Sequence, residues 1–138
     1  MSTILDASPA DVWADVQDIA THVEWMADAT AIRFLGERTS GVGTRFECDT
    51  KVGPITLTDI MEITEWVPGK VMGVRHSGVV TGTGRFTLKK ASRGRTQFQW
   101  REKLGYPLWL GGPVGAVLSK PVLRWIWRRN LTRLAARF

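Results

Sequence analysis

Residues 45–66 read RFECDTKVGPITLTDIMEITEW, and this stretch decides the fold. Its first eight residues alternate charged side chains at odd positions with apolar or small ones at even positions. Gly53 and Pro54 then supply a turn, and residues 55–66 continue as a longer strand. Because successive side chains of a strand point to opposite faces, the pattern predicts an antiparallel pair with one dry and one wet face.

The same period of two continues on both sides of this hairpin. Short turns separate further strand candidates at residues 2–6, 31–37, 71–76, 79–89 and 95–104. Consecutive strands joined by short turns form an antiparallel meander, and the N-terminal strand brings the total to about seven.

Helical signals lie near the two ends of the chain. Ser8 caps a first helix that Pro9 begins, and a second short helix covers residues 19–26. Pro113 begins a long C-terminal helix that Pro121 should kink or restart. This order predicts an α+β fold, in which a curved antiparallel sheet of about seven strands accompanies two short helices and a long C-terminal helix.

Length and composition are those of one ordinary domain. The chain has 138 residues, of which 43% are hydrophobic and 23% charged, and no linker or repeat divides it, so we expect a single domain over residues 1–138. Cys48 alone cannot close an intramolecular disulfide, and no basic-then-apolar leader opens the sequence, so we expect a cytoplasmic location. No uninterrupted apolar stretch reaches the roughly 20 residues of a membrane-spanning helix.

The net charge of +6 comes entirely from residues 120–138. Residues 1–119 carry equal numbers of basic and acidic side chains, whereas residues 120–138 carry basic side chains and no acid. Nucleic-acid-binding proteins usually present a broad basic surface, so we expect no specific nucleic-acid partner.

The C-terminal helix combines an apolar stripe with a basic remainder. A stripe about 80° wide contains Leu123, Trp127, Leu131, Leu134 and Phe138, whereas Trp125 and Ile126 lie off it. Two interpretations stay open. In the first, residues 106–118 fold back as a cavity lid and the arginines of the helix are simply exposed to water. In the second, an apolar and basic patch contacts an anionic membrane. That patch would consist of Leu108, Trp109, Leu110, Trp125, Arg124, Arg128, Arg129 and Arg133.

Two acids fall on the predicted dry face of the sheet. Glu102 shares its strand parity with Phe98 and Trp100, and a carboxylate among apolar side chains must be paired or have a raised pKa. The alternative is a strand-end position where Glu102 meets a basic side chain in solvent. Asp59 shares its parity with apolar neighbours, but a bulge in the strand would turn it outward.

Two histidines are candidates for different roles. Either Arg75 or His76 points inward, because both parities of residues 71–76 are plausible core faces. His76 is the better candidate for proton transfer, since imidazole exchanges protons near neutral pH, and the alternative is a surface histidine at a strand end. His22 on the second helix is expected to be a half-exposed packing residue.

Motifs for metals, nucleotides and covalent catalysis are absent from the sequence. His22, Cys48 and His76 do not have a metal-binding spacing, and no phosphate-binding glycine loop precedes a helix, so we predict no metal and no cofactor. Cys48 lies between Glu47 and Asp49, without the electropositive neighbours of a reactive thiolate.

Several segments in this order resemble one superfamily. They are DASPADVW at residues 6–13, VEWM at 23–26, GVGTRF at 41–46, ITEWVPG at 63–69, and the Pro/Gly-rich and then basic C-terminus. Over essentially the whole chain, the sequence resembles the START-like helix-grip (SRPBCC) superfamily, and most closely its polyketide cyclase/dehydrase subgroup. The resemblance implies a cavity between a concave sheet and the C-terminal helix, suited to a lipid, polyketide or quinone-like molecule.

The resemblance and the strand parities together predict the lining of this cavity. The expected ligand-contacting residues are Trp25, Met26, Phe46, Cys48, Leu57, Asp59, Met61, Arg75, His76, Phe86, Phe98, Trp100, Glu102, Tyr106 and Trp127.

Three functions remain open. The first is binding of a hydrophobic small molecule, by a monomer or a homodimer. The second is a polyketide aromatase/cyclase or dehydratase that uses Glu102 with an inward His76 or Arg75. The third is docking on a membrane or a partner through the basic helix.

Overall fold

One seven-stranded antiparallel sheet forms the frame of the protein, as seen in a computed structural model that describes residues 1–138 and all side chains except those of Leu110 and Ala116. The spatial order of the strands is β1-β7-β6-β5-β4-β3-β2, and every neighbouring pair is antiparallel. The strands are β1 (Ser2–Leu5), β2 (Ala29–Leu35), β3 (Arg45–Val52), β4 (Ile55–Val67), β5 (Val71–Gly78), β6 (Thr81–Lys90) and β7 (Thr96–Gly105). The predicted curved meander with an added N-terminal strand is confirmed.

Three α-helices accompany the sheet: α1 (Pro9–Val16), α2 (His22–Trp25) and α3 (Gly112–Ala135), with a 3-10 turn (Ile19–Thr21) before α2. Ser8 caps α1 as predicted, because its Oγ accepts a hydrogen bond from the Asp11 backbone N–H at 3.2 Å. α3 runs through Pro121 without interruption, so the predicted restart at that residue is wrong.

Aromatic side chains fill the core between the sheet and the short helices. Trp25 and Phe98 are fully buried, and the ring of Trp25 lies 5.8 Å from that of Phe86 and 5.9 Å from that of Trp100. Rings at these separations, mostly in tilted or edge arrangements, pack favourably, and burying each large apolar side chain stabilises the fold by about 1.5–3 kcal/mol.

The second half of α3 is fastened to the body by apolar and polar contacts. Leu131 and Leu134 of the predicted stripe are buried. Ile126, predicted to lie off the stripe, is also buried, because it shares a helix face with Asn130 and Leu134 at a spacing of four residues. Asn130 is fully buried and joins the helix to the segment before β2.

Candidate functional site

A cavity of about 320 Å³ lies between the concave face of the sheet and α3. Twelve of the fifteen predicted contact residues line it: Met26, Phe46, Cys48, Leu57, Asp59, Met61, His76, Phe86, Trp100, Glu102, Tyr106 and Trp127. Most of the wall is therefore apolar, and a few ionisable groups are set into it.

The ionisable centre of the cavity is a paired histidine and glutamate. His76 Nε2 lies 3.0 Å from Glu102 Oε2, and the two side chains are only 10% and 9% exposed. The other carboxylate oxygen, Oε1, accepts a hydrogen bond from Trp100 Nε1 at 3.0 Å. Glu102 is thus paired inside the cavity, as one of the two interpretations of its strand position expected.

A glycine on β6 leaves the space in which this pair forms. His76 belongs to β5 and Glu102 to β7, so β6 runs between them, and it places Gly84 directly opposite Glu102. A Cβ atom on Gly84 would lie only 2.7 Å from Glu102 Oε1. The carboxylate therefore lies over the bare backbone of Gly84 and reaches across to His76.

The hydrogen bonds to Glu102 define which nitrogen of His76 carries the proton. An ionised carboxylate only accepts hydrogen bonds, so Nε2 of a neutral His76 must be the donor. Nδ1 then presents a lone pair, and no described group of the protein hydrogen-bonds to it. This nitrogen is the natural acceptor for a ligand hydroxyl or for a proton.

Asp59 is a second acid in the cavity. It is 7% exposed and accepts a hydrogen bond from the Val80 backbone N–H at 3.2 Å. Burial raises the pKa of its carboxyl, and this effect is opposed by the Val80 N–H and by the nearby His76. The irregularity in the pairing of β4 with β5 falls after Ile63, so it leaves Asp59 on the inner face.

His22 also lines the cavity, and the expectation of half exposure is wrong. It is 5% exposed, and its Nε2 lies 2.7 Å from the carbonyl oxygen of Val16. Burial lowers the pKa of His22, so its ring is neutral and Nε2–H donates to that carbonyl. Its spacing of four residues from Met26 on the helix was the available sequence signal, because both side chains face the cavity.

Three predicted contact residues do not line the cavity. Trp25 and Phe98 are fully buried in the aromatic core behind the wall. Arg75 projects from the opposite face of the sheet and forms an ion pair with Glu62. Adjacent residues of a strand point to opposite faces, so the inward position of His76 excludes Arg75 from the cavity.

Residues 106–119, which lead from the end of β7 into the first turns of α3, cover the cavity only in part. Tyr106 and Gly115 line it, and Ser119 Oγ donates a hydrogen bond to the Tyr106 hydroxyl at 3.2 Å. Leu108 and Trp109 instead point into solvent. The lid expected over residues 106–118 is thus partial: Tyr106 and Gly115 contribute to it, whereas Leu108 and Trp109 do not, and the side chain of Leu110 lies outside the described part of the structure.

The described side chains contain no cluster of three or more His, Cys, Asp or Glu residues that could hold a metal ion. Within the same part of the chain, no helix combines the length and the hydropathy needed to cross a membrane.

A family model described as polyketide cyclase / dehydrase and lipid transport matches residues 1–138. No curated protein matches the sequence significantly.

Solved structures show the same fold at low sequence identity. The chain is similar to the Zhui aromatase/cyclase from a Streptomyces species, with a TM-score of 0.71 and 14% identity over 99% of this chain and 90% of that one. It is similar to the di-domain ARO/CYC StfQ from the steffimycin biosynthetic pathway, with a TM-score of 0.76 and 15% identity over 99% of this chain and 48% of that one. A protein from Nitrosospira multiformis gives a TM-score of 0.73 and 14% identity over 100% and 93% of the two chains.

Proposed function

The chain belongs to the polyketide cyclase/dehydrase and lipid transport family, and on that premise we propose that its cavity binds a hydrophobic small molecule that carries one polar, uncharged group. The predicted helix-grip resemblance is confirmed by the family match and by the structural neighbours. The observation that carries the proposal is the buried pair of His76 and Glu102 at the wall of an otherwise apolar cavity.

The size of the cavity limits the size of the ligand. An apolar protein cavity of about 150 Å³ accommodates benzene. A cavity of about 320 Å³ therefore suits a molecule of roughly two to three fused rings, or a flexible chain of similar volume.

The charges in the cavity favour one kind of polar group. Glu102 is held as a hydrogen-bond acceptor by Trp100 and His76, and Asp59 adds a second acid nearby. A carboxylate or phosphate on the ligand would meet like charge in a poorly solvated site, which is unfavourable. A hydroxyl or phenol can instead donate to His76 Nδ1, so we expect neutral donors to bind best.

Calorimetry with matched aromatic compounds tests this preference. We expect 2-naphthol to bind at least about tenfold more tightly than 2-naphthoate, because only the second brings a negative charge next to the two acids. Equal affinities would contradict the proposed role of the acids.

A matched pair of variants tests whether binding takes place in the cavity. Met61 lines the cavity, whereas the adjacent Ile60 lies on the outer face of β4. Met61→Trp should fill the space and abolish 2-naphthol binding, and Ile60→Trp should leave it unchanged. Binding that survives Met61→Trp would refute the proposal.

The geometry of His76 and Glu102 favours a second candidate, a cyclase or dehydratase that acts on a polyketide-like chain. In this reaction His76 Nδ1 takes a proton from a methylene between two carbonyls. The electron pair left behind attacks a further carbonyl of the same chain and forms a carbon–carbon bond, and the imidazolium returns the proton to the new alkoxide. Glu102 accepts from His76 Nε2–H, which leaves Nδ1 free to take the proton, and its negative charge stabilises the imidazolium that forms. Arg75 takes no part, because it lies outside the cavity.

Glu102→Gln separates the two candidates. Glutamine keeps the size of the side chain, and its amide oxygen can still accept from Trp100 while its NH2 donates to His76 Nε2. His76 Nδ1 then carries the proton and donates to the ligand hydroxyl, which can accept as well as donate, so ligand affinity should be retained within about threefold. Turnover of a poly-β-ketone substrate should fall at least about 100-fold, because the imidazolium loses its counter-charge. Full turnover in this variant would remove Glu102 from the mechanism.

A further inference from the structure

The outer side of α3 and the turn before it expose large apolar side chains. Leu108 is 87% exposed, and Trp109 and Leu118 are each 71% exposed. Val114, Val117 and Trp125 on the helix are also more than half exposed. Exposed apolar side chains clustered in this way are unusual on a soluble surface and are typical of an interaction site.

The helix concentrates these side chains on one face. At 3.6 residues per turn, Val114, Val117, Leu118 and Trp125 fall within a sector roughly 100° wide. Gly115 and Leu123, which line the cavity, lie on the other side of the helix. α3 therefore has an inner face toward the cavity and an apolar outer face toward solvent.

Four cations accompany the outer face, namely Lys120, Arg124, Arg128 and Arg129. All four are exposed, and none forms an ion pair among the described residues. The Arg129 guanidinium lies 5.5 Å from the ring centroid of Trp125, which keeps cation and ring together. We call these four cations and the apolar residues Leu108, Trp109, Val114, Val117, Leu118 and Trp125 the docking face.

Arg133 of the same helix and Arg137 just after its end are not part of the docking face. Arg133 donates a hydrogen bond to the Glu24 carbonyl oxygen at 2.9 Å, and Arg137 forms ion pairs with Asp15 and Glu24. These contacts fasten the helix to the body. Arg133, one of the four arginines predicted to face a membrane, is therefore left out of the docking face proposed below.

The charge of the docking face selects its partner. No acidic residue follows Glu102 in the sequence, so a two-fold contact between copies of this face would bring cations against cations. An anionic bilayer offers negative headgroups to the arginines and an apolar layer to the tryptophan and leucine side chains at the same time. The convex outside of a helix also fits a plane, which requires no shaped pocket in the partner.

We propose that the docking face binds the surface of an anionic lipid bilayer. The side chains of Trp109, Leu118 and Trp125 enter the headgroup region, and the cations lie at the level of the lipid phosphates. The protein binds peripherally, and the helix that meets the bilayer is also the one that covers the cavity. This proposal does not depend on what the cavity holds.

Co-sedimentation with lipid vesicles tests the proposal. We expect the protein to bind phosphatidylcholine vesicles that contain about 30 mol% phosphatidylserine, and to bind pure phosphatidylcholine at least about tenfold more weakly. Raising the salt concentration from about 0.1 M to about 0.5 M should release most of the bound protein, because exposed charges are screened.

Two matched pairs of variants locate the contact. Arg124→Glu/Arg128→Glu should weaken vesicle binding at least about tenfold, whereas Lys89→Glu/Lys90→Glu, with the same change in net charge at exposed positions of β6, should keep it. Leu118→Ser/Trp125→Ser should also weaken binding, and Val42→Ser/Val67→Ser, at exposed apolar positions away from α3, should not.

Three results would overturn the proposal. The first is an absence of binding to the anionic vesicles at low salt. The second is equal loss of binding in the Arg124/Arg128 and the Lys89/Lys90 variants, which would show only a net-charge effect. The third is a stable dimer in sedimentation velocity that Leu118→Ser/Trp125→Ser dissociates, which would assign the face to a second copy. Each result leaves the 2-naphthol measurements unaffected, so this proposal and the proposed function can fail separately.

Discussion

Replacing Gly84 with alanine should disrupt the pair of His76 and Glu102 without touching either residue. The new Cβ would lie 2.7 Å from Glu102 Oε1 and 3.0 Å from Cδ and Oε2, whereas ordinary contacts begin at 3.4 Å. The carboxylate must therefore withdraw by about 0.7 Å, the difference between these distances. Its hydrogen bonds, now 3.0 Å long, would then exceed the usual limit on at least one side.

The size of the effect follows from the hydrogen bonds that are lost. A hydrogen bond to a charged group stabilises the fold by about 1.5–3 kcal/mol. Replacing a glycine inside a strand with alanine stabilises it by about 0.5–1 kcal/mol, because alanine loses less conformational entropy on folding. With one of the two bonds lost, Gly84→Ala should destabilise the protein by about 1–2 kcal/mol. For a chain of 138 residues this corresponds to a Tm lower by about 3–7 °C.

Thermal unfolding of a double-mutant cycle tests this reasoning. In a Glu102→Ala background no carboxylate opposes the new methyl group, so Gly84→Ala should be neutral or slightly stabilising there. The Trp100 indole N–H resonance should also shift in the Gly84→Ala single variant, because its acceptor moves. If Gly84→Ala lowers the Tm equally in both backgrounds, the contact with Glu102 is not the cause and the reasoning is refuted.

Three further predictions concern single side chains. Burial raises the pKa of Asp59 above its ordinary value of 3.8, so the folded protein binds this proton more tightly than the unfolded chain does. The free energy of unfolding therefore falls as the pH rises from 3.8 through the pKa of the folded state. Asp59→Asn should therefore have a higher Tm than the wild type at pH 7 and lose this advantage near pH 3 in thermal unfolding. Asn130→Ala removes the acceptor of the Ala27 N–H and should lower the free energy of unfolding, measured in urea, by about 2–4 kcal/mol. A decrease of less than about 1 kcal/mol would contradict the role of Asn130 in holding α3 to the segment before β2. Burial raises the pKa of Cys48 from 9.0 to about 11, so at pH 8 a thiol reagent should modify the folded protein at least about 100-fold more slowly than the unfolded chain, and similar rates would contradict the buried position.

Local alternation was sufficient to predict most of the sheet and much of the cavity wall. Phe46 and Cys48 alternate with charged neighbours, and Glu102 follows Trp100 at a spacing of two, so their inward positions follow from the period of a strand. Ends of strands were less accurate: the strand predicted at 31–37 is Ala29–Leu35. Its ends depend on the pairing with β3, which no local pattern contains.

Alternation could not predict which inward-facing side chains reach the cavity and which are covered by other elements. Parity puts Phe98 and Trp100 on one face, but only Trp100 reaches the cavity, because the helices that cover Phe98 come from distant parts of the chain. Residues 71–76 had two plausible inner faces, and pairing with β4 and β6 selects the one with His76. The buried position of Asn130 has no local sequence signal, because its partner Ala27 lies 103 positions earlier.

The polar contacts that tie α3 to the first thirty residues come from Asn130 and Arg133, in the last third of the helix, and from Arg137, just after its end. Raising the carboxyl-terminal end from the sheet would break every one of them, whereas tilting the amino-terminal half would leave them intact. The carboxyl-terminal part of the helix, from Asn130 onward, is thus the part held to the body by polar contacts. We therefore expect a ligand to enter the cavity beneath the amino-terminal half of the helix, around residues 112–123, because none of these contacts restrains that half.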